Sequence, residues 1–135
     1  MTQEEKDLVV KDLSSRIPYG VRVYIEYDDG KIFEKRKLAP IMIHDYIKLS
    51  LDKVIFKPYL RPMEDMTEKE KKHIQNRFCY QWDGESVMEL INYCKIDISD
   101  ITDFINWLYE HHLDFNFLIE KGLALKAPKD MYEIK

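Results

Sequence analysis

Glycine is scarce: Gly20, Gly30, Gly84 and Gly122 are the only four in 135 residues, and no two stand close together. A loop that cradles nucleotide phosphates needs several glycines in one turn, so that backbone amides can close on the ligand, and that class is excluded. Cysteine is scarcer still, with only Cys79 and Cys94 and no CxxC spacing. Two such thiols make neither a disulfide framework nor a zinc knuckle; they read as reduced side chains of a cytoplasmic protein. Charge of one sign is also missing, since 21 basic side chains stand against 25 acidic ones for a net charge of −4. Polyanion-binding proteins normally carry a basic surplus, and this balance argues for solubility instead. No apolar run approaches the roughly 20 residues that cross a bilayer. The opening Met1-Thr2-Gln3-Glu4-Glu5-Lys6 is too polar and acidic for a secretory leader. Neither a membrane role nor a cofactor is expected.

What is present suits one α+β domain over residues 1–135, with hydrophobic residues at 45% and aromatics at 13% to build a core. The expected architecture is an N-terminal helix, a small antiparallel β-meander of three to five strands, and a C-terminal helical unit. Thr2 and Glu5 form a capping box. Val9 or Val10, Leu13 and Ile17 then recur at helical spacing, which predicts a helix from about Glu4 to Arg16, ended by Pro18. From Val21 the period changes to two. Val21, Val23, Ile25 and Tyr27 share one face up to Asp28-Asp29-Gly30, a strong hairpin signal, and the chain returns over Lys31–Leu38. After Pro40, Ile41-Met42-Ile43 reads as a third strand and Lys53–Lys57 as a fourth. Pro58 and Pro62 hold Tyr59-Leu60-Arg61 extended.

Thr67 and Glu70 make a second capping box, opening a charged surface helix whose apolar stripe is Ile74 and Phe78. Residues 85–95 fit a helix slightly better than a strand. From Ser99 a longer helix presents Ile101, Phe104, Ile105 and Leu108 inward, with Trp107 at the stripe's edge. Asp114 is placed to cap a short helix through Lys121, with Gly122 at its C-terminal turn. The last few residues are expected to fray.

No catalytic residue stands out. His111 and His112 are adjacent, so on a helix they point about 100° apart and do not share an ion as histidines four apart do. Their plain role is to stabilise a helix C-terminus. His44 and His73 stand alone, no serine sits in a nucleophile elbow, and no carboxylate pair is singled out by an apolar setting. No metal site is expected. The candidates for nucleic-acid binding are the basic clusters Lys35-Arg36-Lys37, beside Phe33 where bases can stack, and Lys69-Lys71-Lys72, but Glu34, Glu68 and Glu70 cancel much of their field. Phe115 and Phe117 are two apart, so on a helix one of them must face outward, where a ring can anchor a protein partner.

Three segments carry a resemblance: Pro58-Tyr59-Leu60-Arg61-Pro62-Met63 with Met66–Lys71; Trp107-Leu108, His111-His112 and Asp114 with Leu118–Ala124; and Ala127-Pro128 with Met131-Tyr132. With the helix leading into Ile17-Pro18-Tyr19-Gly20-Val21, they resemble a group of short uncharacterised proteins encoded by gut bacteria, their prophages and their phages. The resemblance spans most of the chain apart from the hairpin and residues 78–98. It departs from the group after the paired histidines, where Asp114-Phe115-Asn116-Phe117 replaces an Asp-Tyr-Arg-Gly tendency. It implies no activity and no catalytic residue. It does imply a mobile-element accessory protein, a class that often works by binding another protein. The expected function is therefore a non-enzymatic interaction factor, with Phe115, Phe117, His111 and His112 as its candidate contacts. The alternatives are a nucleic-acid-associated protein using Lys35, Arg36 and Lys37, and a hydrolase built on His44 or His111 with a carboxylate.

Overall fold

A computed structural model describes residues 1–49, 53–80, 82–84, 90 and 96–132. Helix α1 (Gln3–Arg16) starts at the expected box: the Glu5 amide donates to Thr2 Oγ1 at 3.1 Å, and the Thr2 amide donates to the Glu5 carboxylate at 2.8 Å. Val9 and Leu13 are buried on its inner face, and so are Asp12 and Arg16. A 3₁₀ turn over Ile17–Tyr19 and Gly20 at φ +74° lead into β1 (Arg22–Tyr27).

Strands β1 and β2 (Ile32–Lys37) form the expected hairpin. The Gly30 amide donates to the Tyr27 carbonyl at 3.0 Å, and the Tyr27 amide donates to the Lys31 carbonyl at 2.9 Å. Gly30 lies at φ +93° while Asp28 and Asp29 are not left-handed, so the turn is the glycine-bulged form rather than type I′. A β-bulge follows between the pairs Val23–Arg36 and Ile25–Phe33, with Lys35 at φ +54°.

The expected third strand is a helix. Pro40 occupies the first turn of α2 (Pro40–Lys48), where a missing amide costs nothing, and Ile43 and Tyr46, three apart, turn inward onto the sheet. Strand β3 (Val54–Leu60) then pairs antiparallel with β1, on the side away from β2. That ladder ends at Val23–Pro58, where proline has no amide to offer, and β3 continues by pairing parallel with β4 (Leu125–Lys126). The fold is α+β, as read. Its sheet, in the order β2-β1-β3-β4, is mixed rather than an antiparallel meander, because α2 intervenes and the last strand enters parallel.

Helices α3 (Glu68–Arg77) and α4 (Ile98–Glu110) form a second layer of packing. Asp97, not Ser99, caps α4, accepting from the Ser99 amide at 3.0 Å. Phe104, Trp107 and Leu108 are buried and Ile105 is half-buried, but Ile101 is exposed, so the inward stripe starts one turn later than its spacing suggested. The reading of residues 85–95 lies outside the described residues, except for Leu90, which is buried. After Asp114 the chain makes successive turns instead of a helix, because Phe117 at φ +58° breaks the ladder. Asp114 still acts as the cap, accepting from the Leu118 and Ile119 amides at 2.8 and 3.0 Å.

Two large apolar clusters result, with a small third one of Tyr59, Ala127 and Tyr132 beside them. One packs α1 and α2 on a face of the sheet through residues such as Leu13, Tyr46, Ile25, Phe56 and Leu118. The other joins α3 and α4 through Ile74, Phe104, Trp107, Leu108 and Leu113. Among the described residues no helix is long and apolar enough to cross a membrane.

Candidate functional site

The two clusters meet along a seam built from polar groups. Arg61, directly after β3, is buried; its amide donates to the His112 carbonyl at 2.8 Å, and the Asp114 amide donates to its carbonyl at 2.9 Å. Its guanidinium grips the buried Glu70 carboxylate with two bonds, at 2.8 and 2.6 Å, and donates to the His111 carbonyl at 2.9 Å. Glu70 also accepts from the Thr67 amide, so one carboxylate closes the α3 capping box and neutralises Arg61. Burial alone would raise the Glu70 pKa, but the bonds from Arg61 and Thr67 hold it below the usual carboxylate range.

Arg16 ties the same seam from the α1 side. It forms two bonds to Asp12, at 2.7 and 3.1 Å, and donates to the Leu113 carbonyl at 2.8 Å. The rings of Tyr109 and Phe115 flank its guanidinium, and Asn116 adds a bond to Asp12. Phe115 is half-buried, packed against the edge of the second cluster. Phe117 is the exposed ring of the pair, at 39%.

The paired histidines occupy the end of α4 in two different ways. His111 donates from Nδ1 to the Trp107 carbonyl at 2.9 Å, which covers a terminal carbonyl as read from sequence and turns Nε2 away from the backbone. His112 sits at φ +59°, in the left-handed position that closes the helix, with the Leu113 amide reaching the Leu108 carbonyl at 3.1 Å. Glycine usually holds that place. Here a histidine ring does, stacked on Tyr132 at 3.7 Å between centroids. The Tyr132 hydroxyl donates to the Tyr59 carbonyl at 2.7 Å and accepts from the Arg22 amide at 2.9 Å, so the chain is docked as far as Tyr132; residues 133–135, at the end where fraying is expected, lie outside the described residues. His112 is 7% exposed, and its Nδ1 has no hydrogen-bond partner among the described residues. Burial first, then the charges of Arg16, Arg61 and His111, push its pKa down to about 4.

A cleft of about 840 Å³ opens over this seam. Tyr19 and Gly20 line one side, Arg22 and Lys37 another; α3 contributes Lys69, Glu70 and His73, and α4 contributes Trp107, Glu110 and both histidines. His73 and His111 stack on opposite sides of the Trp107 position in sequence, at 5.4 and 4.1 Å between centroids. Arg22, Lys37 and Lys69 make no ion pair among the described residues. The basic run of the hairpin does not act together. Lys37 pairs across from Arg22 and reaches the cleft, Arg36 lies over Phe33 at 4.4 Å beside the main core, and Lys35 occupies the bulge.

Of the residues expected to bind, His111, His112 and Lys37 line the cleft, while Phe115, Phe117, Lys35 and Arg36 do not. Lys69, from the second basic cluster singled out in the sequence, also lines the cleft; sequence reasoning missed Arg22 and Tyr132 as cleft residues, and Arg16, Arg61 and Glu70 as its framework. His44 is exposed on α2, away from the cleft lining. Among the described residues no three histidine, cysteine or acidic side chains gather as a metal ion requires. Comparison with family models, with curated proteins and with solved structures gave no match.

Proposed function

We propose that the protein is a non-enzymatic interaction factor that meets a protein partner through the cleft between the sheet end and α4. One observation carries the reading: a cleft with a cationic mouth on a chain of net charge −4, walled by aromatic rings and floored by a fully paired arginine. A hot-spot surface needs side chains held rigid before the partner arrives, and the Arg61–Glu70 and His112–Tyr132 contacts supply that rigidity. The described lining residues include no serine, threonine or cysteine, so the commonest acyl-enzyme nucleophiles are not among them. The segments that carry the resemblance to phage and prophage proteins, around Arg61, Thr67–Glu70, His111–His112 and Tyr132, surround this same cleft, which supports an accessory role for it. A polyanion track is served less well, because the hairpin's basic residues divide between the cleft and the core edge.

The test is affinity capture from native lysate with the wild type and with the Lys37→Glu/Lys69→Glu double variant. Both lysines are exposed, so the variant keeps its fold. The expected result is a partner recovered by the wild type and lost by the variant. Equal recovery by both refutes the cleft as the contact surface. Elution from immobilised single-stranded DNA only above physiological salt would favour the nucleic-acid alternative.

A further inference from the structure

We infer that the group seated in the cleft is a phosphate monoester; this rests on the reading of the cleft as the contact surface and names the chemistry it takes. The argument starts from charge. Arg61 is neutralised within the floor by two bonds to Glu70, which leaves Arg22, Lys37, Lys69 and Glu110 as the other ionised side chains of the described lining. Three cations against one carboxylate leave a surplus of two positive charges. A phosphate monoester carries close to two negative charges at neutral pH, whereas a carboxylate supplies one.

The end of α4 would ordinarily repel an anion, because helix C-terminal carbonyls carry partial negative charge. Here those carbonyls are occupied. Trp107 accepts from the His111 ring, His111 from the Arg61 guanidinium, His112 from the Arg61 amide and Leu113 from Arg16. The negative end of the helix is thereby covered by donors, and the ring edges of His111 and His112 are what the cleft meets. His112 adds an independent observation. It is more than nine-tenths buried, it lines the cleft, and its enclosed Nδ1 has no hydrogen-bond partner among the described residues. It also holds a left-handed backbone that glycine would adopt without strain, so the ring is kept at a conformational cost. The cleft volume of about 840 Å³ lies within the range of sites that enclose a small organic group.

The experiment is a titration followed by ¹H–¹⁵N NMR on the full chain, with separate arms for inorganic phosphate, uridine 5′-monophosphate, a phosphoserine hexapeptide, and the same peptide with glutamate in place of phosphoserine. The expected result is that the phosphate-bearing probes shift cleft signals, among them Lys37, Lys69 and His111, and outcompete the glutamate peptide. The phosphopeptide should bind more tightly than uridine 5′-monophosphate, because the cleft is read as a surface that meets a protein; a tighter nucleotide would overturn a protein-borne phosphate. Lys37→Glu and, separately, Arg22→Gln should each weaken binding by on the order of tenfold, since each removes a close cation from a partly desolvated site. The inference is overturned if no phosphate probe shifts the cleft, if the glutamate peptide binds as tightly as the phosphopeptide, or if the variants bind phosphate unchanged. A partner still captured through the cleft despite those outcomes leaves the interaction reading standing and removes only the phosphate chemistry.

Discussion

His112 carries the most informative conflict between local preference and tertiary demand. Its backbone adopts the left-handed region at φ +59°, and its ring is buried against Tyr132 with a pKa pushed down to about 4 from 6.5. The folded protein therefore holds this ring neutral, while the unfolded chain takes up a proton below pH 6.5. Stability contributed by the neutral ring is complete above pH 6.5 and falls as pH drops from 6.5 to 4, by roughly 3 kcal/mol across the window. Denaturant unfolding of the wild type and of His112→Asn should show a difference in stability that shrinks steadily over that range. A constant difference would mean that folding leaves the His112 pKa at its ordinary value. Gly30 offers a simpler case. It sits at φ +93°, and a Cβ added there would meet nothing within 4 Å, so any cost is backbone strain alone. Gly30→Val should cost about 1 kcal/mol or more, and Gly30→Asn markedly less, because asparagine tolerates the left-handed region. Equal costs would contradict the assigned turn. Gly30 was legible because a turn is a local event. The role of His112 was not, since it depends on Tyr132, twenty residues further along the chain.

Elements were readable where the chain's own pattern decides them. Both capping boxes, the β1–β2 hairpin and the body of α4 formed as their residues dictate. α2 was misread because Ile41-Met42-Ile43 is a short apolar run that suits strand or helix equally. Pro40 and the Ile43–Tyr46 spacing held the better signal. A second signal went unused in α1. Asp12 and Arg16 fall on the same stripe as Val9 and Leu13, a placement that points to a buried ion pair rather than to a solvated face. Glu70 shows how one residue can serve two elements, and the two roles separate by mutation. Thr67→Ala removes a cap and should cost about 1 kcal/mol. Glu70→Ala removes the cap's return bond and also strands the buried Arg61, and should cost about 3–5 kcal/mol. Similar costs for the two variants would show that the Arg61 pairing contributes little.

At the scale of the molecule, two apolar clusters are joined by a polar seam, and the cleft lies over that seam. Its described lining residues come from widely separated stretches of the chain, from Pro18 to Tyr132. Composition therefore showed a balanced surface, while folding gathers at one mouth cations that form no ion pair among the described residues, and only the assembled sheet end and helices place Arg22, Lys37 and Lys69 in one lining. The central claim, that this mouth is where a partner protein docks, is tested most directly by a photo-crosslinking amino acid placed in turn at Lys69, in the cleft, and at His44, exposed on α2 outside it. After irradiation in native lysate, a discrete adduct should form from position 69 and none from position 44, and added Lys37→Glu should suppress it. Adducts from position 44 alone, or adducts from position 69 that persist with Lys37→Glu, would contradict the account.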